Sequence, residues 1–510
     1  MRHTIFIFSL LSMSGLTATA QEGDYRYQDA RQLWRTTENA AGLSLDSIEN
    51  RGWAVLDLEH RSGSFHRIQE GSQRNMLQFR SERYQQIGKY LVGYGRFAFD
   101  LDRTKDRAWA DVYRPYDANP YYSGSSVAGK YDQQSFDFTG SLGTVALNNW
   151  RVGVRLDYKA GDLSRLRDPR SRAQLLEYQL TPSVAYSIKR HTLGLAPYYH
   201  RRKEKMPTLK TVQNDPNLSY YEMRGLEMVY GGVGAYSGFN RQWVDHRLGL
   251  SLNYGYQSDR LNSLTTISLK RGEEDILENE KREPAHYGTR TLRFATLNRI
   301  HSERLLHEID LNMSYQQAYG DENVQQRMQT TDPVTGVTSY HHETLLTYEK
   351  RYQMQHIEGL LHYRMNVVDH QQINGYVGMT AGLTTTRQKY LLPTSSFNHQ
   401  RISITAEGGK ALWGERLWID LSGSYHFSDT KDDDLSLAEP ESIFAQEVLL
   451  PDMEYYKANY WKGHLQLTWL FPLHIKGADT RWFVRAYGDY LRTDNKLDGK
   501  CVGISIGLYN

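Results

Sequence analysis

The chain has 510 residues, 61 basic and 59 acidic side chains and a formal net charge of +2, a near balance that gives no basic bias toward nucleic acid and no acidic tail. It is hydrophilic on average (mean hydropathy −0.66). Past the first 20 residues its longest apolar run is four, Trp53 to Leu56, far short of the roughly 20 residues a membrane helix needs. The single cysteine, Cys501, excludes internal disulfides, so an exported chain of this kind must be held together by other means.

In chain order, Arg2 and His3 precede an apolar stretch from Ile5 to Leu16, and Ala18 and Ala20 supply the A-x-A pattern of a signal-peptidase site. The reading is a signal peptide over 1–20, with the mature chain starting at Gln21. Residues 21–50 form an N-terminal segment in which Asp29 to Leu43 reads as a short helix ending at Gly42. It is open whether this segment is a periplasmic cap, a plug in a lumen or a disordered leader.

From residue 51 onward the signal is period-two alternation, the mark of a strand with two unlike faces. Trp150, Val152, Val154, Leu156 and Tyr158 alternate with Arg151, Gly153, Arg155 and Asp157. Leu248, Leu250, Leu252 and Tyr254 alternate with Gly249, Ser251 and Asn253, and Val502, Ile504, Ile506 and Leu508 with Gly503, Ser505 and Gly507. These runs last about 9–12 residues, the length of a tilted bilayer-crossing strand. A typical soluble strand has about 5–6. Connections alternate between short, as at Lys189–Arg190 and Val367–His370, and long and polar, as at Arg201–Arg224, Gln257–Gly288, Gln317–His342 and Ser428–Glu454. Short turns on one rim and long loops on the other are the outer-membrane pattern.

The expectation is an all-β, antiparallel transmembrane β-barrel over residues 51–510. Its strands fall near 53–61, 75–85, 90–101, 132–143, 148–159, 174–189, 191–201, 225–239, 243–257, 288–299, 305–317, 344–366, 371–389, 399–410, 416–428, 456–471, 480–492 and 499–509. That makes about 18 strands, or 16 if the first pair lies outside the wall. Trp and Tyr at strand ends, such as Tyr460–Trp461, suit the membrane interface. The nearly terminal Tyr509 resembles the C-terminal signal that delivers barrels to the assembly machinery.

The stretch from Trp109 to Tyr122 (WADVYRPYDANPYY), Gly129–Tyr131, Asp162–Arg172 (DLSRLRDPRSR) and Arg201–Lys205 resemble an uncharacterised Bacteroidetes-type family of outer-membrane β-barrels. The resemblance spans nearly all of the mature chain. It implies a barrel in the cell outer membrane, surrounded by lipid and lipopolysaccharide, and a link to a TonB-dependent uptake system. It implies no activity.

Motifs for chemistry are sparse. There is no G-x-S-x-G elbow, H-E-x-x-H, P-loop or cysteine cluster, so no enzyme, cofactor or metal is expected. The adjacent His341 and His342, and His426 near Asp432, Asp433 and Asp434, read as solvated polar groups before they read as ligands or catalysts. The most specific local feature is the polar–aromatic loop with Trp109, Asp111, Tyr113, Arg114, Tyr116 and Asp117. It is expected either to constrict the lumen or to seal it as a self-packed lid. Inward-facing Arg151, Arg155 and Asp157, below Arg165, Arg167 and Arg170, are expected to line a mixed-charge lumen. The leading functional expectation is a channel or substrate-uptake barrel. The alternatives are a non-conducting scaffold of an envelope complex and, third, an outer-membrane hydrolase.

Overall fold

The structure, a computed structural model, describes residues 22–46, 50–115, 119–212, 217–414, 416–475 and 478–509; the expected signal peptide lies outside them. The described residues form eighteen wall strands: Arg51–Gly63 (β1), Gln73–Ile87 (β2), Leu91–Arg107 (β3), Gly129–Thr144 (β4), Trp150–Arg165 (β5), Arg172–Ile188 (β6), His191–Met206 (β7), Arg241–Gln257 (β8), Leu261–Glu278 (β9), Ala285–His301 (β10), Leu305–Thr331 (β11), Thr338–Asp369 (β12), Gln372–Tyr390 (β13), Ser395–Leu412 (β14), Leu417–Ser428 (β15), Tyr460–Ile475 (β16), Ala478–Thr493 (β17) and Asp498–Tyr509 (β18). Each pairs antiparallel with its sequence neighbours, and β1 pairs with β18 from Trp53–Tyr509 to Gly63–Gly499. The sheet is therefore a closed barrel with no free edge, as the hydrocarbon requires.

Alternation decides what each face meets. On β8, Leu248 is 67 % exposed while Asn253 is 2 % exposed, so the apolar row faces outward and the polar row inward. The same holds for Val152, Val154 and Leu156 outside on β5, and for Val502, Ile504 and Ile506 outside against buried Ser505 on β18. This inverts the soluble arrangement and makes a lipid-facing belt. Outward aromatic pairs edge the belt, with Trp150 and Tyr186 4.6 Å apart and Trp461 and Tyr490 5.4 Å apart, where half-apolar, half-wet rings are stable.

Short turns, such as residues 189–190, 258–260 and 302–304, share the rim with the start of β1 and the end of β18. This is the periplasmic rim. The long connections 108–128, 207–240 and 429–459 leave the opposite, outer rim.

The strand count agrees with the sequence reading, but one position differs. Residues 225–239 are not in the wall. Met228–Val233 pairs instead with Ser219–Gly225, which also pairs with Ser123–Gly124 in a separate small sheet. Its Gly231 and Gly232 have φ of 112° and 139°, a backbone that only glycine adopts readily. The wall strand in its place is β9, inside the stretch expected to be a long loop. Ile267 and Leu269 are the only exposed large apolar residues on the outer face of β9, and beyond them that face carries Arg271, Glu273 and Asp275. The expected loop over Gln317–His342 is also strand for most of its length. β11 and β12, of 27 and 32 residues, continue past the rim as a projecting ribbon.

Because Val154 lies mid-way along the outward face of β5, Val154→Arg should destabilise the barrel by about 2–4 kcal/mol in lipid. Urea unfolding in lipid vesicles reads this directly, and an unchanged midpoint would contradict the orientation of the wall.

Candidate functional site

Two sets of residues occupy the inside of the wall, one at each end. At the periplasmic end lies the N-terminal segment: helix Glu22–Arg31 (α1) followed by short 3-10 turns at Trp34–Thr36 and Ala40–Leu45. The helix thus begins earlier than expected, and Asp29–Leu43 is mostly turn. Side-chain caps shape these turns. Asp46 accepts from the backbone N–H groups of Trp34 and Arg35 at 3.0 and 2.8 Å, and Asn39 accepts from Ala41 N–H at 3.1 Å. Burial pushes the Asp46 carboxyl up to about 7.

The segment is tied to strands all round the wall. Arg26 donates to both carboxylate oxygens of Asp420 on β15 at 2.9 Å, and its guanidinium lies 4.3 Å from the Trp418 ring. Arg35 pairs with Glu82 on β2. Asn39 donates to Asn253 on β8 at 2.9 Å, and Arg299 on β10 donates to the Ala30 carbonyl at 2.8 Å. Tyr509 on β18 donates to Glu22. Gly143 on β4 and Gly153 on β5 sit opposite each other in register, and a Cβ on either would collide with the backbone of Ala40 or Ala41. Glycine there admits the segment to the wall.

At the outer end the long loops pack on one another. Trp109 is fully buried with φ of 60°, an uncommon conformation for a bulky residue that its surroundings hold in place. Its backbone N–H donates to Ser125 at 2.8 Å and its indole N–H to Glu447 at 2.7 Å. The ring lies 4.8 Å from Tyr221 and 5.2 Å from Phe444. Asp111 accepts from the Tyr131 hydroxyl at 2.6 Å, and Arg165 donates to the same hydroxyl at 2.9 Å. Glu204 accepts from Tyr113 N–H at 2.6 Å, and Arg114 donates to Glu177 at 3.0 Å. These residues anchor the cap to β4, β5, β6 and β7.

The sequence-selected residues therefore fall into two groups. Trp109, Asp111, Tyr113 and Arg114 belong to the cap; Tyr116 and Asp117 lie outside the described residues. Arg151, Arg155 and Asp157 belong to the periplasmic end. Arg151 donates to Ser44 and Ser187, and Arg155 donates to Asp157 and to the Thr37 carbonyl at 3.1 Å. On β5 the Tyr113 ring packs at Gly161 and the N-terminal segment at Gly153, about 26 Å apart along the strand at roughly 3.3 Å per residue.

Beneath the cap is a chamber of about 480 Å³. Tyr122, Phe444 and Asp452 border it from the cap, and Lys270, Thr289, Gln316, Thr384 and His399 from the wall. None of Trp109, Asp111, Tyr113 and Arg114 reaches it. A second cavity of about 460 Å³ lies beside α1, among Arg26, Glu82, Arg364 and Arg485. Sequence reasoning missed the chamber residues because they are single polar side chains on distant strands. A larger concavity, of about 1130 Å³, lies among outward Leu58, Leu77, Leu101 and Ile504 and belongs to the lipid belt.

His342 and His426 have local partners. His342 lies on β12, 3.5 Å from Glu280. His426 stacks on Tyr460 at 4.2 Å, and Asp432 takes the Lys457 ammonium at 2.6 Å. Asp275, Glu283 and His286 could hold a cation on the outer face, but both His286 nitrogens already bond carboxylates, Asp275 and Glu273, at 2.8 Å.

Residues 40–510 match the profile of a family described as of unknown function, DUF6850. The chain belongs to this family. No curated protein matches the sequence. Among solved structures, this family member is similar to the copper transporter OprC at 9 % identity and a TM-score of 0.40, covering 91 % of this chain and 81 % of that one. It is similar to the outer-membrane transporter YddB of Escherichia coli at 7 %, with the same score and coverage. It is also similar to the outer-membrane protein OpdK of Pseudomonas aeruginosa at 10 % and a TM-score of 0.36, covering 91 % and 99 %.

Within the cap, burial pushes the Asp452 carboxyl up to about 7. A carboxyl raised in the folded state contributes stability below its unfolded pKa of about 4, and that contribution is lost as pH rises through about 7. Proteolysis of the 429–459 loop should therefore speed up between about pH 5 and pH 8, relative to the protease's own profile, and Asp452→Asn should flatten that rise. A flat wild-type profile would contradict this environment for Asp452.

Proposed function

We propose that this outer-membrane barrel passes a small solute inward, with the outer loops as a selective cap and the N-terminal segment as a removable plug. One observation carries the reading: two cavities lie inside an eighteen-stranded wall, one bordered by the outer loops and one by an N-terminal segment held through side-chain contacts. A wall of 16–18 strands is wide enough for an aqueous channel, so closure must come from inserted chain. The segment touches β2, β8, β10, β15 and β18 through ion pairs and hydrogen bonds, which water can replace when it leaves. It lies on the periplasmic side, within reach of an energy-transducing partner of the TonB type. Lipid and lipopolysaccharide surround the belt, and delivery through the barrel-assembly machinery accords with the closing strand β18 and its Tyr509.

A second reading, a filled barrel serving as a scaffold for another envelope complex, draws on the chain that occupies the inside of the wall at both ends. Planar-bilayer recording separates the two. Under the uptake reading, deleting residues 22–46 should raise conductance severalfold over the wild-type protein. Arg26→Ala should give shorter openings by freeing only one tie. Equal currents in wild type and deletion would remove the plug, and the absence of current in both would favour the scaffold.

A further inference from the structure

The chamber beneath the cap is bordered by a buried acid. Asp452 lies in the first turn of the helix Leu450–Lys457 (α2). It is only 9 % exposed and borders the chamber, yet it makes no hydrogen bond or ion pair among the described residues. The nearby arginine is engaged elsewhere. Arg67 donates to Glu70 and to the Tyr456 hydroxyl, each at 2.7 Å. Across the chamber, Arg247 pairs with Asp245.

A carboxyl withdrawn from water is costly when its nearest counter-charge, Arg67, is shared with Glu70, and an entering cation would relieve that cost. Tyr122 and Tyr456 border the same space, the Tyr456 ring stacked on His399 at 3.8 Å. The opposite wall carries Thr289, Thr291, Thr384 and Thr386 with Gln316 and Gln388, hydroxyl and amide groups that exchange hydrogen bonds with hydroxyls. A volume of about 480 Å³ suits a small organic solute.

We propose that this chamber binds a small, hydroxyl-rich solute carrying a primary ammonium, with the ammonium seated against Asp452. The inference rests on the uptake reading for the arrival of such a solute, but the seat can be tested without transport.

Glucosamine and glucose serve as probes, since they share a ring and differ by one ammonium. The full protein is unfolded in urea and refolded into detergent micelles with either sugar present, so entry through the cap does not limit loading. A solute that binds only the folded state raises the unfolding midpoint. Glucosamine is expected to raise it and glucose to leave it close to the sugar-free value. In Asp452→Asn the apparent affinity for glucosamine should fall by about tenfold or more, whereas Asp452→Glu should keep most of it. The midpoint of Asp452→Asn without sugar shows whether the variant folds.

Equal shifts from both sugars would make the ligand a neutral polyol and overturn the proposal. A glucosamine shift that survives Asp452→Asn would overturn it, and so would no shift at all. Passage is measured separately in the bilayer. Binding without passage would sink the uptake reading and leave the seat, whereas passage without binding would sink the seat alone.

Discussion

Every backbone N–H and C=O inside hydrocarbon must find a partner within the protein, and that requirement organises this molecule. The pairing of β1 with β18 along Trp53–Tyr509 to Gly63–Gly499 satisfies it by closing the sheet. Closure with eighteen strands has a price: the ring is too wide for inward side chains to fill. The wall therefore solves the membrane problem and creates a second one, a lumen that must be occupied or left open to water.

The two ends meet that second problem with different chemistry. At the periplasmic end, short helical turns reach across the lumen and are fixed by charged and polar ties such as Arg26–Asp420 and Asn39–Asn253. At the outer end, long loops build an aromatic core of their own around Trp109, Tyr221 and Phe444, with the buried Arg241 paired to Glu222 beneath. A cluster with its own apolar core is expected to stay folded as a unit. A segment held by exchangeable polar ties is better suited to leave and return. That asymmetry is why we propose the N-terminal segment as the moving part and the cap as the selective one.

The wall was legible in the sequence because a lipid-facing strand writes one apolar residue at every second position, as in Val152, Val154 and Leu156 or Val502, Ile504 and Ile506. β9 was not, since its outward row turns charged after Leu269 and its inward row includes Leu264 and Ile276. The ribbon of β11 and β12 beyond the rim was hidden for a related reason. Clear of lipid, its faces need no apolar row, so Gln317–His342 reads as polar loop. The loop carrying Trp109 stood out as dense in aromatic and charged residues, but its packing partners Tyr221, Phe444 and Glu447 lie more than a hundred residues away and carry no local signal. Asp452 and the threonines facing it are brought together only by barrel closure, and nothing near them in the chain marks them.

The most direct test of the account is to fix the N-terminal segment in place. Cysteines replacing Asn39 and Asn253, whose side chains meet at 2.9 Å, should oxidise to a bridge between the segment and β8. Solute flux into vesicles carrying the oxidised protein, with the proposed TonB-type partner supplied, should be abolished and should return on reduction. Flux that is the same before and after reduction, with the bridge shown to have formed, would contradict the claim that this segment closes the lumen.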